Sequence, residues 1–97
     1  MTGITTRHIK VDRMRYSINE GNKYGVSISS IHPYDETEYH WAHLKPGRII
    51  WKVMRDRHIV CYLAPKSRHN PLTLEEVARE LQRLDDQRGL HRTGGIW

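Results

Sequence analysis

Met14-Arg15-Tyr16-Ser17-Ile18-Asn19-Glu20-Gly21-Asn22-Lys23-Tyr24-Gly25-Val26-Ser27-Ile28 is the stretch that decides the fold. Met14, Tyr16 and Ile18 alternate with Arg15 and Ser17. Tyr24, Val26 and Ile28 alternate with Gly25 and Ser27. A period of two on both sides of an Asn/Gly-rich loop is the pattern of a β-hairpin with one apolar face. Upstream, Ile9 and Val11 occupy odd positions, whereas the apolar set from Met14 is even. A bulge near Asp12 and Arg13 would reconcile the two phases.

A second hairpin is expected over residues 48–63. Ile49, Trp51 and Val53 share one face; Ile59, Cys61 and Leu63 share another. The connection Arg55-Asp56-Arg57-His58 has no glycine, which predicts a longer turn rather than a tight primed one. Residues 31–47 allow two readings. Asp35 could cap a short helix through Leu44, or Thr37, Tyr39, Trp41 and His43 could alternate in a strand. Pro46-Gly47 closes the segment as a turn.

Residues 73–88 predict a helix. Thr73 and Glu76 have capping-box spacing, and Leu72 can pack on Val77 as a staple. Leu74, Val77, Ala78, Leu81 and Leu84 form one apolar stripe. Gly89 supplies a left-handed stop with Leu90 packing back. Glu75 and Glu76 in the first turn and Arg88 at the end suit the helix dipole. The tail, residues 90–97, is expected to be loose. The fold class is therefore α+β: two antiparallel hairpins forming a small sheet, with the C-terminal helix packed on one face.

Ninety-seven residues make one domain, 1–97, with a small core. Hydrophobic residues are 37%, Phe is absent and the mean hydropathy is -0.75. A core this lean favours support from a partner or a homodimer. Cys61 is the only cysteine, so no internal disulfide can form and a reducing cytoplasm is expected. The first residues have no apolar run of a signal peptide, and no segment reaches the length of a membrane span. No helix pairs a basic face with a bulky apolar one, so a membrane is not an expected partner.

Charge is concentrated. Residues 45–70 hold Lys45, Arg48, Lys52, Arg55, Arg57, Lys66 and Arg68 against Asp56, a net +6 in a chain of net +5. Residues 24–44 carry three acids and no base. Like charges held together repel, so the block reads as a surface for an acidic partner, either nucleic acid (DNA or RNA) or an acidic protein face. Lysines and arginines on an outer strand also discourage edge pairing, which is the alternative role for the block. The candidate binding residues are Lys45, Arg48, Lys52, Arg55, Arg57, Lys66, Arg68 and His69. Trp97 joins them as a terminal anchor.

No catalytic motif stands out. The loop Ala64-Pro65-Lys66-Ser67-Arg68-His69-Asn70-Pro71 has two X-Pro bonds, and Pro65 makes it a conceivable prolyl-isomerase substrate. His40 and His43 would share a helix face, but a structural zinc wants four ligands, so no metal or other cofactor is expected. His58, His69, Arg55 and Lys66 carry the groups of a small metal-free ribonuclease without a spacing that enforces it. Thr73 to Ala78 is similar to the first helix of a helix-turn-helix. Only nine residues follow Arg88, three of them glycine, which leaves no room for a recognition helix.

The short basic chain, the stretch Arg48 to Leu63 with its charged tip, and the capped helix from Thr73 to Arg88 together resemble small accessory proteins of temperate phages. In particular the chain resembles the anti-RecBCD proteins of lambdoid phages. That resemblance implies a non-enzymatic protein in the cytoplasm of a bacterial host. Such a protein would bind a host DNA-processing complex, the RecBCD nuclease-helicase, and change its action on DNA ends in favour of phage recombination. The residues alone support two other readings, a direct nucleic-acid-binding domain and a small ribonuclease.

Overall fold

The computed structural model describes residues 3–21, 23–31 and 36–89. The strands are β1 (Thr5–Val11), β2 (Met14–Gly21), β3 (Gly25–Ser30), β4 (Trp41–Leu44), β5 (Trp51–Arg55) and β6 (His58–Leu63). The helix is α1 (Leu74–Gln87). The strands form one antiparallel sheet whose spatial order is the chain order. The α+β class and the helix-covered face hold. The two expected hairpins are parts of one six-stranded meander, to which β1 and β4 add.

The phase change near Asp12 is a turn, not a bulge. Val11 pairs with Met14, and Asp12 has a φ of 56°. In a two-residue hairpin the flanking residues face each other across the ladder and share a sheet face. An odd apolar set therefore continues as an even one without any bulge.

The second hairpin departs from expectation in two ways. Its turn is tight: Arg55 pairs with His58, and Asp56 and Arg57 take φ values of 47° and 69°. Two left-handed residues are what a primed turn demands, here met without glycine. The register also shifts between Val53 and Met54, so that Val53 faces Cys61 while Met54 faces Ile59. Ile59 thereby leaves the face of Cys61 and Leu63 and is 50% exposed. Ile49 precedes β5 and is exposed, so it does not join the Trp51 and Val53 face.

Among the described residues of the segment 31–47, Glu36–Glu38 form a 3-10 turn and β4 follows. The strand reading holds for Trp41–Leu44 and the helix through Leu44 does not form. Asp35, Leu90 and Trp97 lie outside the described residues.

One face of the sheet is covered. Val77, Ala78 and Leu81 of α1 are buried on Val11, Tyr16, Ile18, Ile28, Ala42, Trp51 and Val53. At roughly 1.5–3 kcal/mol for each large apolar side chain fully buried, this seam is the main source of stability. Thr73 caps α1: its Oγ1 accepts the Glu76 N–H at 3.1 Å, and Glu76 accepts the Thr73 N–H at 2.8 Å. Gly89 follows the C-cap Arg88 with a φ of 82° and ends the helix as expected.

Candidate nucleic-acid interface

The face away from α1 is laid out by the strand register. One row crosses all six strands as Thr6, Asn19, Ser27, His43, Lys52 and Tyr62. The next row crosses as His8, Ser17, Ser29, Trp41, Met54 and Ile59. Lys10 and Arg15 form a basic pair beyond it. Neither row contains an acid. At about 4.8 Å between strands a row spans roughly 24 Å. The middle of the face is small and polar, and the β4–β6 side carries aromatic, basic and apolar groups.

His43 is oriented by the sheet itself. Its Nε2 lies 2.7 Å from the carbonyl oxygen of Tyr24. A carbonyl can only accept, so Nε2 carries the proton and donates it. That bond holds the ring on the open face beside Lys52, its partner across the ladder.

A cleft of about 640 Å³ opens where β4, β5 and β6 meet the loops. Lys45, Arg48, Lys52 and Arg68 supply its cations, Ile49, Ile50 and Tyr62 its apolar surface, and His43 one wall. Among the described residues no Asp or Glu lines it. Tyr62 is 60% exposed. Solvated cations around an acid-free concavity attract phosphate, and an exposed ring beside them offers a stacking surface.

The basic block is therefore not one surface. Arg55 and Arg57 lie at the far end of the β5–β6 hairpin. There Arg57 and Asp56 line a second cleft with Trp41, Tyr39 and His40. Arg55 is half-buried. Lys66 and His69 are exposed on the loop after β6 without lining either cleft. In that loop Ser67 accepts the His69 N–H through Oγ at 3.1 Å and the Asn70 N–H through its carbonyl at 3.2 Å.

The ribonuclease constellation is not assembled. His58 and Arg55 sit at the hairpin tip, whereas His69 neighbours Arg68 at the other end of β6. A strand of six residues puts about 17 Å between those ends. Burial pushes the Cys61 thiol pKa up, with Arg83 opposing and Glu80 adding. His40 and His43 do not share a face either: His40 is buried against Asp85, and His43 stands on the open side.

Two features escaped the sequence. Tyr62 belongs to no motif, although its alternation with Cys61 and Leu63 points it outward beside Lys52. Asp85 falls four residues after Leu81, on the buried stripe. An acid at that position signals a buried partner, which is His40.

Comparison of the chain with protein-family models, with curated proteins and with solved structures gave no match.

Proposed function

We propose that this chain is a non-enzymatic domain that binds nucleic acid on the open face of its sheet. One observation carries the reading: Lys45, Arg48, Lys52 and Arg68, drawn from three separate segments, converge on one cleft that no acid among the described residues enters. Self-repulsion makes such convergence costly unless an anion is bound there. The hydroxyls and amide of the adjoining rows can donate hydrogen bonds to phosphate and sugar oxygens without choosing a sequence.

The test is a gel shift with purified protein at increasing salt. Four phosphate contacts predict a log–log slope of roughly -3 on a single strand. No shift of any DNA or RNA at low salt would sink the reading. The host-complex role implied by the phage resemblance uses the same cations against carboxylates. It replaces this reading if a tagged chain recovers a DNA-processing complex from nuclease-treated bacterial lysate while shifting no oligonucleotide.

A further inference from the structure

The chemistry of the cleft narrows the kind of nucleic acid. Its cations lie mainly on the β4–β5 connection and the loop after β6: Lys45, Arg48 and Arg68. Tyr62, Ile49 and Ile50 are exposed at 60%, 37% and 48%. Exposed apolar groups beside a cluster of cations have no use in holding a duplex by its phosphates, because paired bases hide their ring faces. They do have a use with an unpaired base, whose face is free to stack. The volume of about 640 Å³ lies within the range of small-ligand sites. The row from Tyr62 through Lys52, His43 and Ser27 to Asn19 then leads from the cleft across the sheet.

We propose that the cleft takes one unpaired nucleotide of a single strand. The base stacks on Tyr62 against Ile50, and Lys45, Arg48 and Arg68 hold the flanking phosphates. The rest of the strand runs along the His43 and Lys52 row. This rests on the nucleic-acid reading above and adds the substrate class and the residue that selects it.

The experiment is fluorescence anisotropy at one fixed salt with three labelled probes. They are an oligothymidine of about twelve nucleotides, within the site sizes of sheet-based single-strand binders, an abasic strand of the same length, and a duplex of the same length. The oligothymidine should bind at least about fivefold more tightly than either of the others. Tyr62→Ala should remove that advantage and leave the abasic strand unchanged, and Tyr62→Phe should restore it. Arg48→Gln should weaken both single strands alike. Equal binding of the oligothymidine and the abasic strand, or tighter binding of the duplex, overturns the stacking cleft while the nucleic-acid reading stands. Binding of none of the three overturns both. Tyr62 is on the surface, and unchanged urea midpoints of its variants confirm that folding is intact.

Discussion

Nδ1 of His40 lies 2.6 Å from Oδ1 of Asp85, and the backbone N–H of His40 donates to the same oxygen at 3.0 Å. The two residues are 4% and 1% exposed. The contact fastens the C-terminal part of α1 to the start of β4. An acid there faces the negative end of the helix dipole and an apolar seam, so it depends on its donors. Asp85→Ala leaves two buried donors without that acceptor and should cost about 1–3 kcal/mol for each. That is a large share of the roughly 5–15 kcal/mol that holds a domain together. Asp85→Asn keeps an acceptor oxygen and should cost less, about 1–2 kcal/mol. The double variant His40→Ala, Asp85→Ala should lose less than the sum of the singles. Urea unfolding read by tryptophan fluorescence measures all of these. Strictly additive losses would show that the pair is not coupled.

Tyr16 predicts an alkaline limb in stability. Its ring is buried and its O–H donates to the carbonyl of Ala78 at 3.3 Å. Burial pushes the phenol well above the ordinary tyrosine value. Asp85, Asp12 and Asp86 add to the shift and the Gln82 side chain opposes it. Above about pH 10 the unfolded chain releases this proton while the folded chain keeps it. The folded state then binds more protons, so stability falls as pH rises, by up to about 1.4 kcal/mol per pH unit. Below that pH the contribution is fully present. Tyr16→Phe should cost about 1 kcal/mol at neutral pH and lose this limb. Unfolding midpoints of the two proteins from about pH 8 to 11 should converge. Parallel curves would assign the limb to another group.

Gly25 opens β3 with a φ of 79°. A Cβ there would strike the carbonyl oxygen of Leu44 and crowd Pro46. Leu44 faces Val26 in the β3–β4 ladder, so backbone rather than a pliable side chain would have to move. Gly25→Ala should cost at least about 2–3 kcal/mol from strain and collision together. Gly47 has a similar φ of 74° but open space around its Cβ position. Gly47→Ala should therefore cost only the strain, about 1 kcal/mol. Thermal midpoints that fall equally for both would refute the close approach at Gly25.

The parts of this fold legible in the sequence are those set by neighbours in the chain. The Met14 to Ile28 alternation and the Thr73–Glu76 box are local, and both formed where expected. What was hidden depends on pairing. Val11 opposite Met14 is a fact about a turn, and the displaced Ile59 follows from a register shift. The grouping of the basic block is hidden for the same reason. Seven cations close in sequence are divided by the length of a hairpin, while Arg68 is brought to Lys45 and Lys52 only by the sheet. Charge counting could find the cations but not their grouping. It gave no weight to Tyr62, which carries none.

The hairpin tip offers the most direct separation of stability from binding. Asp56 and Arg57 both occupy the left-handed region without being glycine, at about 1–2 kcal/mol of strain for each non-glycine residue. Asn followed by Gly is the pair that such a turn prefers. The double substitution Asp56→Asn, Arg57→Gly should therefore raise stability by about 1 kcal/mol, part of the relief being offset by the greater freedom of glycine in the unfolded chain. Arg57 stands at the cleft with Trp41 rather than the one with Tyr62. The same variant should thus bind an oligothymidine within about twofold of the parent, since it removes one acid and one base together and both lie more than a Debye length from the cleft. A chain that gains stability and keeps its affinity places the binding cations at Lys45, Arg48, Lys52 and Arg68. A tenfold loss of affinity at unchanged salt would instead move the anion site to the tip.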